Sequence, residues 1–172
     1  MIEPQKVTAA LRELRTSLHH DVHTLHLAAQ AIQSAPAVEA LAALDAALAY
    51  LHERFLPHCA AEEFTLLPAV DGVIGEPGAT NLVAEQHRII EAMAGDLARA
   101  VEASHDRGDP SAYARVLIPL LYGLYGAIRL HLESEDATYL NLLDDHLSES
   151  QAGVLVENLG RITRQHGASA RP

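Results

Sequence analysis

Two ten-residue stretches constrain this chain more than anything else in it. His58-Cys-Ala-Ala-Glu62-Glu63-Phe-Thr65-Leu-Leu67 and His131-Leu-Glu-Ser-Glu135-Asp136-Ala-Thr138-Tyr-Leu140 carry His, Glu, a second acid, Thr and Leu at the same offsets. Each lies at the polar end of an apolar series with helical spacing. The first follows Leu41, Leu44, Leu48, Leu51 and Phe55 and continues to Leu66; the second follows Leu117, Leu121, Leu124 and Ile128 and continues to Leu142. Residues three and four apart share one helix face, so His58, Glu62, His131 and Glu135 fall on the faces that should point into a core. Two equivalent helices, related by a pseudo-twofold, are expected to carry them.

The rest of the chain supplies the partners for those helices. Segments of roughly 5–34, 37–70, 80–106 and 111–146 keep helical periodicity, and hydrophobic residues rich in Ala and Leu make up 49% of the chain. Such a composition favours helices over strands. Pro36, the stretch Asp71–Gly78 and Arg107-Gly108-Asp109-Pro110 separate the segments, with Asp109 a predicted N-cap. The expected first-helix stripe is Leu11, Leu14, Leu18, Val22, Leu25, Ala29 and Ile32, and Pro57 and Pro119 should bend their helices. The reading is all-α: an up-down-up-down four-helix bundle over residues 1–166, with a short extra helix near 148–164 and a flexible tail over 167–172.

Charge and composition exclude several functions. Lys+Arg 12 against Asp+Glu 23 gives 12 − 23 = −11 with His neutral, a field that repels nucleic-acid backbones and anionic membranes. No run of about twenty apolar residues is evident, and no secretory signal is expected from the start MIEPQKVTAALRELRTSLHHD, so the expectation is a cytoplasmic protein. The single Cys59 excludes an internal disulfide framework and a Cys-rich metal site, and leaves a small buried residue as its simplest role. Against two Phe, no Trp and one Lys, eleven His need explaining.

Buried ionised carboxylates need a cation. His58 and Glu62, His131 and Glu135, with His87 on the core stripe of the third segment, would place imidazoles and carboxylates together in the bundle interior. The first helix offers His19, His20, His23 and His26. Of the six apolar offsets around His87, His19 and His26 each reproduce four, His23 three and His20 one. Folding the first two helices about residues 34–37 sets His58 opposite residues 13–16, and His19 is the histidine nearest that level. The candidate ligands are thus His19, His58, Glu62, His87, His131 and Glu135, with His23 in reserve. Glu63 is either an acceptor orienting an imidazole or a solvated charge.

In order and spacing, PHCAAEE (57–63), AEQHRII (84–90) and LHLESED (130–136), with a histidine on the first helix, resemble the hemerythrin-like HHE cation-binding family over roughly residues 10–145. The resemblance implies two non-haem iron ions, an oxo- or hydroxo-bridged diiron centre held by those six residues, and a small-molecule ligand: O2, NO or H2O2. Catalase-like or NO-consuming activity is one implied outcome, and iron handling or redox sensing without turnover the alternative. Two positions depart from the oxygen carriers of the family. Glu91 stands where they have a second His four residues after the helix-three His, and Asp136 fits their helix-four Asp, so Glu135 and Asp136 compete for one role. Zincins need H-E-x-x-H, which His52-Glu53 fails at Leu56; paired E-x-x-H motifs of ferritin-like bundles are absent apart from Glu102–His105.

Overall fold

The computed structural model describes residues 7–169, and among these all regular structure is helical. Nine α-helices follow in order: α1 (Ala9–Asp21), α2 (His23–Ser34), α3 (Ala37–Tyr50), α4 (Leu56–Phe64), α5 (Leu66–Ile74), α6 (Asn81–Arg107), α7 (Ala114–Ala137), α8 (Tyr139–His146) and α9 (Glu149–Ser169). A π-helical turn, Leu51–Phe55, joins α3 to α4, and a 3-10 turn, Pro110–Tyr113, leads into α7. The helices α2, α3, α6 and α7 form a closed ring, each packed on two neighbours, while α9 lies along α4.

Three of the four expected long helices are interrupted, each for a local reason. The first is loosened at Val22 alone. In the second, the chain widens just before Pro57, with the Leu56 N–H reaching the Leu51 carbonyl; Pro57 has no N–H with which to continue a regular ladder. Farther on, Thr65 (φ −131°) and Thr138 (φ −109°) end α4 and α7 at equivalent points of the internal repeat. Their hydroxyls donate to carbonyls four residues back, Thr65 to Ala61 at 2.7 Å and Thr138 to Ser134 at 2.6 Å, a contact that bends helices. Pro119, by contrast, is carried inside α7 without a break. Asp109 caps the 3-10 turn by accepting from the Ser111 N–H at 2.9 Å.

Two further expectations are revised. The C-terminal helix runs on to Ser169, so the expected tail is helical from 167 to 169; residues 170–172 lie outside the described residues. One stretch, Pro110–His146, is by length and composition apolar enough to cross a membrane, where none was expected. It also supplies the bundle core with Leu117, Leu121, Leu124 and Ile128, and core helices meet the same criterion.

The core is in two parts. Leu18, Phe55, Ile90, Leu124 and Leu132 belong to a large cluster within the ring, and Leu11, Ala61, Leu66, Leu140, Leu155 and Leu159 to a smaller one roofed by α9. Along the chain the switch between clusters falls at residues 11–18, 59–61 and 132–140. Glu135 lies within that gap, and His58, Glu62 and His131 lie directly beside it.

The first-helix stripe differs from expectation by one residue. Leu14 is turned outward, 44% exposed, and Arg15 is buried, 2% exposed, between Leu11 and Leu18. Steps of four and three then run through Leu11, Arg15, Leu18, Val22, Leu25, Ala29 and Ile32.

Candidate metal centre

The i,i+4 spacing brings each His–Glu pair together as the sequence implies. His58 Nε2 lies 2.8 Å from Glu62 Oε1, and His131 Nε2 lies 3.5 Å from Glu135 Oε2. From α6, His87 meets them: its Nε2 is 3.3 Å from His131 Nε2 and 3.6 Å from Glu62 Oε2. These five side chains are all buried. Cys59 joins the innermost group, because donor atoms of Cys59, Glu62, His87 and His131 all lie within 4.8 Å of one another.

The outer ring nitrogens are held as well. His87 Nδ1 donates to Glu63 Oε1 at 3.1 Å, and His131 Nδ1 donates to Gln86 Oε1 at 3.3 Å. With the protons there, both Nε2 atoms present lone pairs to each other and to Glu62 Oε2, which has no hydrogen-bond partner. Lone pairs facing at 3.3 Å repel unless a proton or metal ion lies among them. Two nitrogens each about 2.1 Å from one ion and at right angles would be about 3 Å apart. The donor set at this point therefore fits a transition-metal ion. Burial opposes a charge on His87, but Glu62 and Glu63 raise its pKa above the ordinary histidine value.

The first helix contributes differently from expectation. His19 is 30% exposed and its Nε2 contacts Asp136 Oδ2 at 2.8 Å rather than the inner group. His23 is farther out, stacked on His26 at the surface near Tyr125. The residue that enters the interior from α1 is Arg15. Its Nη1 lies 2.5 Å from Glu62 Oε1, its Nη2 2.7 Å from Glu135 Oε2 and 3.3 Å from the Leu132 carbonyl, and its Nε 2.8 Å from Asp136 Oδ1. Burial penalises the guanidinium, yet the three carboxylates outweigh that and raise its pKa further. Of the two competing acids on α7, Glu135 points inward at 1% exposure, whereas Asp136, 28% exposed, spans Arg15 and His19.

Glu62 and Glu135 answer this field in opposite directions. Burial works to raise Glu62, but His58 and Arg15 hold it well below the usual carboxylate range. Glu135 is raised by burial and by the negative charge of Glu62, with Arg15 only partly offsetting both. Burial also pushes the Cys59 thiol well up.

Sequence reasoning missed Arg15 and Gln86. For Arg15 a signal existed, since the level calculation pointed to residues 13–16, but only histidines were considered there.

A family model, the hemerythrin HHE cation binding domain, matches residues 4–143. The chain belongs to that family. No curated protein and no solved structure matches it. As a member of the HHE family the chain is a cation-binding helical domain, and its buried His, Glu and Cys donors lie within the matched residues. The helix α9, which covers α4, lies beyond the match.

Proposed function

We propose that this hemerythrin-like chain is a non-haem iron protein, built as an up-down-up-down bundle, that binds or processes O2, NO or H2O2. The carrying observation is the convergence of His87 Nε2, His131 Nε2 and the unpartnered Glu62 Oε2 at one buried point. His87, His131 and Glu62 would hold the ion, with Cys59, His58 and Glu135 beside them. Iron so bound supplies a redox-active Lewis acid with coordination positions left for a small molecule.

The protein's own part is to orient and to exclude water. Glu63 and Gln86 fix the rings of His87 and His131, and Phe55 lies edge-on to His131 with centroids 5.9 Å apart. A cavity of about 250 Å³, lined in part by Leu14, Leu18, His58 and Leu159, gives an approach to the His58 side of the interior. Pockets for drug-sized ligands are generally larger, and two- to four-atom molecules fit easily. The paired-iron form implied by the resemblance relies on a first-helix imidazole, and Arg15 stands at that level.

Stopped-flow optical spectra test this reading. Protein loaded anaerobically with Fe(II) should change its spectrum on mixing with at least one of O2, NO and H2O2. Repeated additions consumed in turn would establish an enzyme, and a single saturable change a binder. Iron held tightly with no response to any of the three would overturn it in favour of iron handling. Failure to retain iron would overturn the metal assignment itself.

A further inference from the structure

Two cations are expected in an interior where two glutamates from equivalent helices face each other. Arg15 already provides one positive charge there. Its two Nη atoms bridge Glu62 and Glu135, the same two carboxylates that the pseudo-twofold offers to a pair of metals. Glu62 divides its oxygens accordingly: Oε1 is 2.5 Å from Arg15 and Oε2 faces His87 and His131.

We propose that the Arg15 guanidinium is a built-in second cation, so that this bundle takes one metal ion rather than two. The inference rests on the metal-binding reading above and concerns its stoichiometry. Three observations carry it. Guanidinium has five N–H donors and no lone pair for a metal, so α1 gives the interior no ligand. The nearest imidazole of that helix, His19, is committed to Asp136 at 2.8 Å. A second ion would be left with only His58 Nε2 and Glu135 Oε1, one atom from each of two helices, because Glu62 Oε1 and Glu135 Oε2 are taken by Arg15.

Charge agrees with the geometry. Arg15 already sets one positive charge against the buried Glu62 and Glu135, which leaves less uncompensated negative charge for a second ion. Arg15 is then a positioning residue: it locks Glu62 so that Oε2 is presented to the imidazole pair.

The test is metal stoichiometry in the full chain. Elemental analysis after anaerobic Fe(II) loading and desalting should give close to one iron per chain, and a Co(II) titration followed optically should break at one equivalent. Arg15→His removes the fixed charge and adds a ligand, so its uptake should rise toward two. Arg15→Lys should stay at one. Two metals in the wild-type chain would overturn the inference, as would a folded Arg15→His variant, checked by circular dichroism, that still takes one. If Arg15→His does not fold, the wild-type Co(II) break point decides alone. No metal in the wild type would instead overturn the metal-binding reading.

Discussion

Glu63 Oε1 accepts the His87 Nδ1 proton at 3.1 Å, while the neighbouring Glu62 faces Nε2 of the same ring at 3.6 Å. Adjacent acids thus address opposite nitrogens of one imidazole, because α4 turns Glu62 inward and leaves Glu63 at the rim of the helix. The outer contact fixes both the tautomer and the ring orientation. Partners of this kind are worth about 10–100-fold in metal affinity. Glu63→Ala should weaken Zn(II) or Fe(II) binding by roughly that factor in a chelator competition titration, with the helical content unchanged. Glu63→Gln, which keeps an acceptor oxygen, should lose much less.

Removing Arg15 should expose the cost of the interior it neutralises. A buried ion pair that loses one partner is typically destabilised by about 3–5 kcal/mol, because the remaining charge is left without compensation. Arg15→Met, of similar length and no charge, should show a loss of that size in urea denaturation with EDTA present. Added Zn(II) should return much of it, since a ligand at 1,000 times its Kd stabilises by about 4 kcal/mol. An unchanged midpoint in EDTA would contradict the pairing with Glu62 and Glu135.

His19→Ala should leave metal stoichiometry as it is. The imidazole contacts Asp136 at 2.8 Å and is part-exposed, so its loss costs one surface-facing pair. Such pairs contribute about 0–1 kcal/mol. Loss of iron in this variant, measured by elemental analysis against His87→Ala, would return His19 to the ligand set.

What was legible in the sequence follows from which residues carry their own signal. His58, Glu62, His131 and Glu135 announce themselves by repeating on two apolar stripes, and His87 by sitting on a third; the structure brings all five together. Arg15 was not legible as a member of the interior because a stripe is normally read for apolar residues. Leu14, one position earlier, fitted that stripe and took its place in the reading, although it is the residue turned outward. The breaks at Thr65 and Thr138 lay inside the repeat, yet a single threonine rarely ends a helix; here its hydroxyl competes for a carbonyl one turn back. Gln86 depends on how α6 and α7 are rotated against each other, which periodicity within one helix does not contain.

Cys59 should be chemically silent in the folded chain. It is buried against the large core cluster, and burial together with the charges of Glu62, Glu135 and Glu63 keeps the thiol protonated far above neutral pH. The thiolate is the reactive form. Alkylation by iodoacetamide at pH 7.5, followed by intact mass, should therefore track unfolding and accelerate sharply in urea. Rapid labelling under native conditions would show that the site opens on its own.

The start of α1 should be sensitive to acid. Asp144 of α8 accepts from the Thr8 N–H and from the Thr8 hydroxyl, each at 2.8 Å, and pairs with Arg12 at 2.9 Å, tying the first turn of α1 to the far end of the chain. Burial works to raise its pKa, but these three partners together hold it below the ordinary aspartate value. A carboxylate with a depressed folded pKa contributes stability that is fully present above its unfolded value, about 3.9, and is lost as the pH falls through the folded one. Protection of the amides at the beginning of α1, relative to their intrinsic exchange rates, should therefore fall below about pH 4 before that of the ring of α2, α3, α6 and α7. Asp144→Asn should reproduce much of this at neutral pH, at a cost of about 1–2 kcal/mol for the weakened hydrogen bonds. Equal exchange rates in the variant and the wild type at pH 7 would show that Asp144 does not anchor the helix.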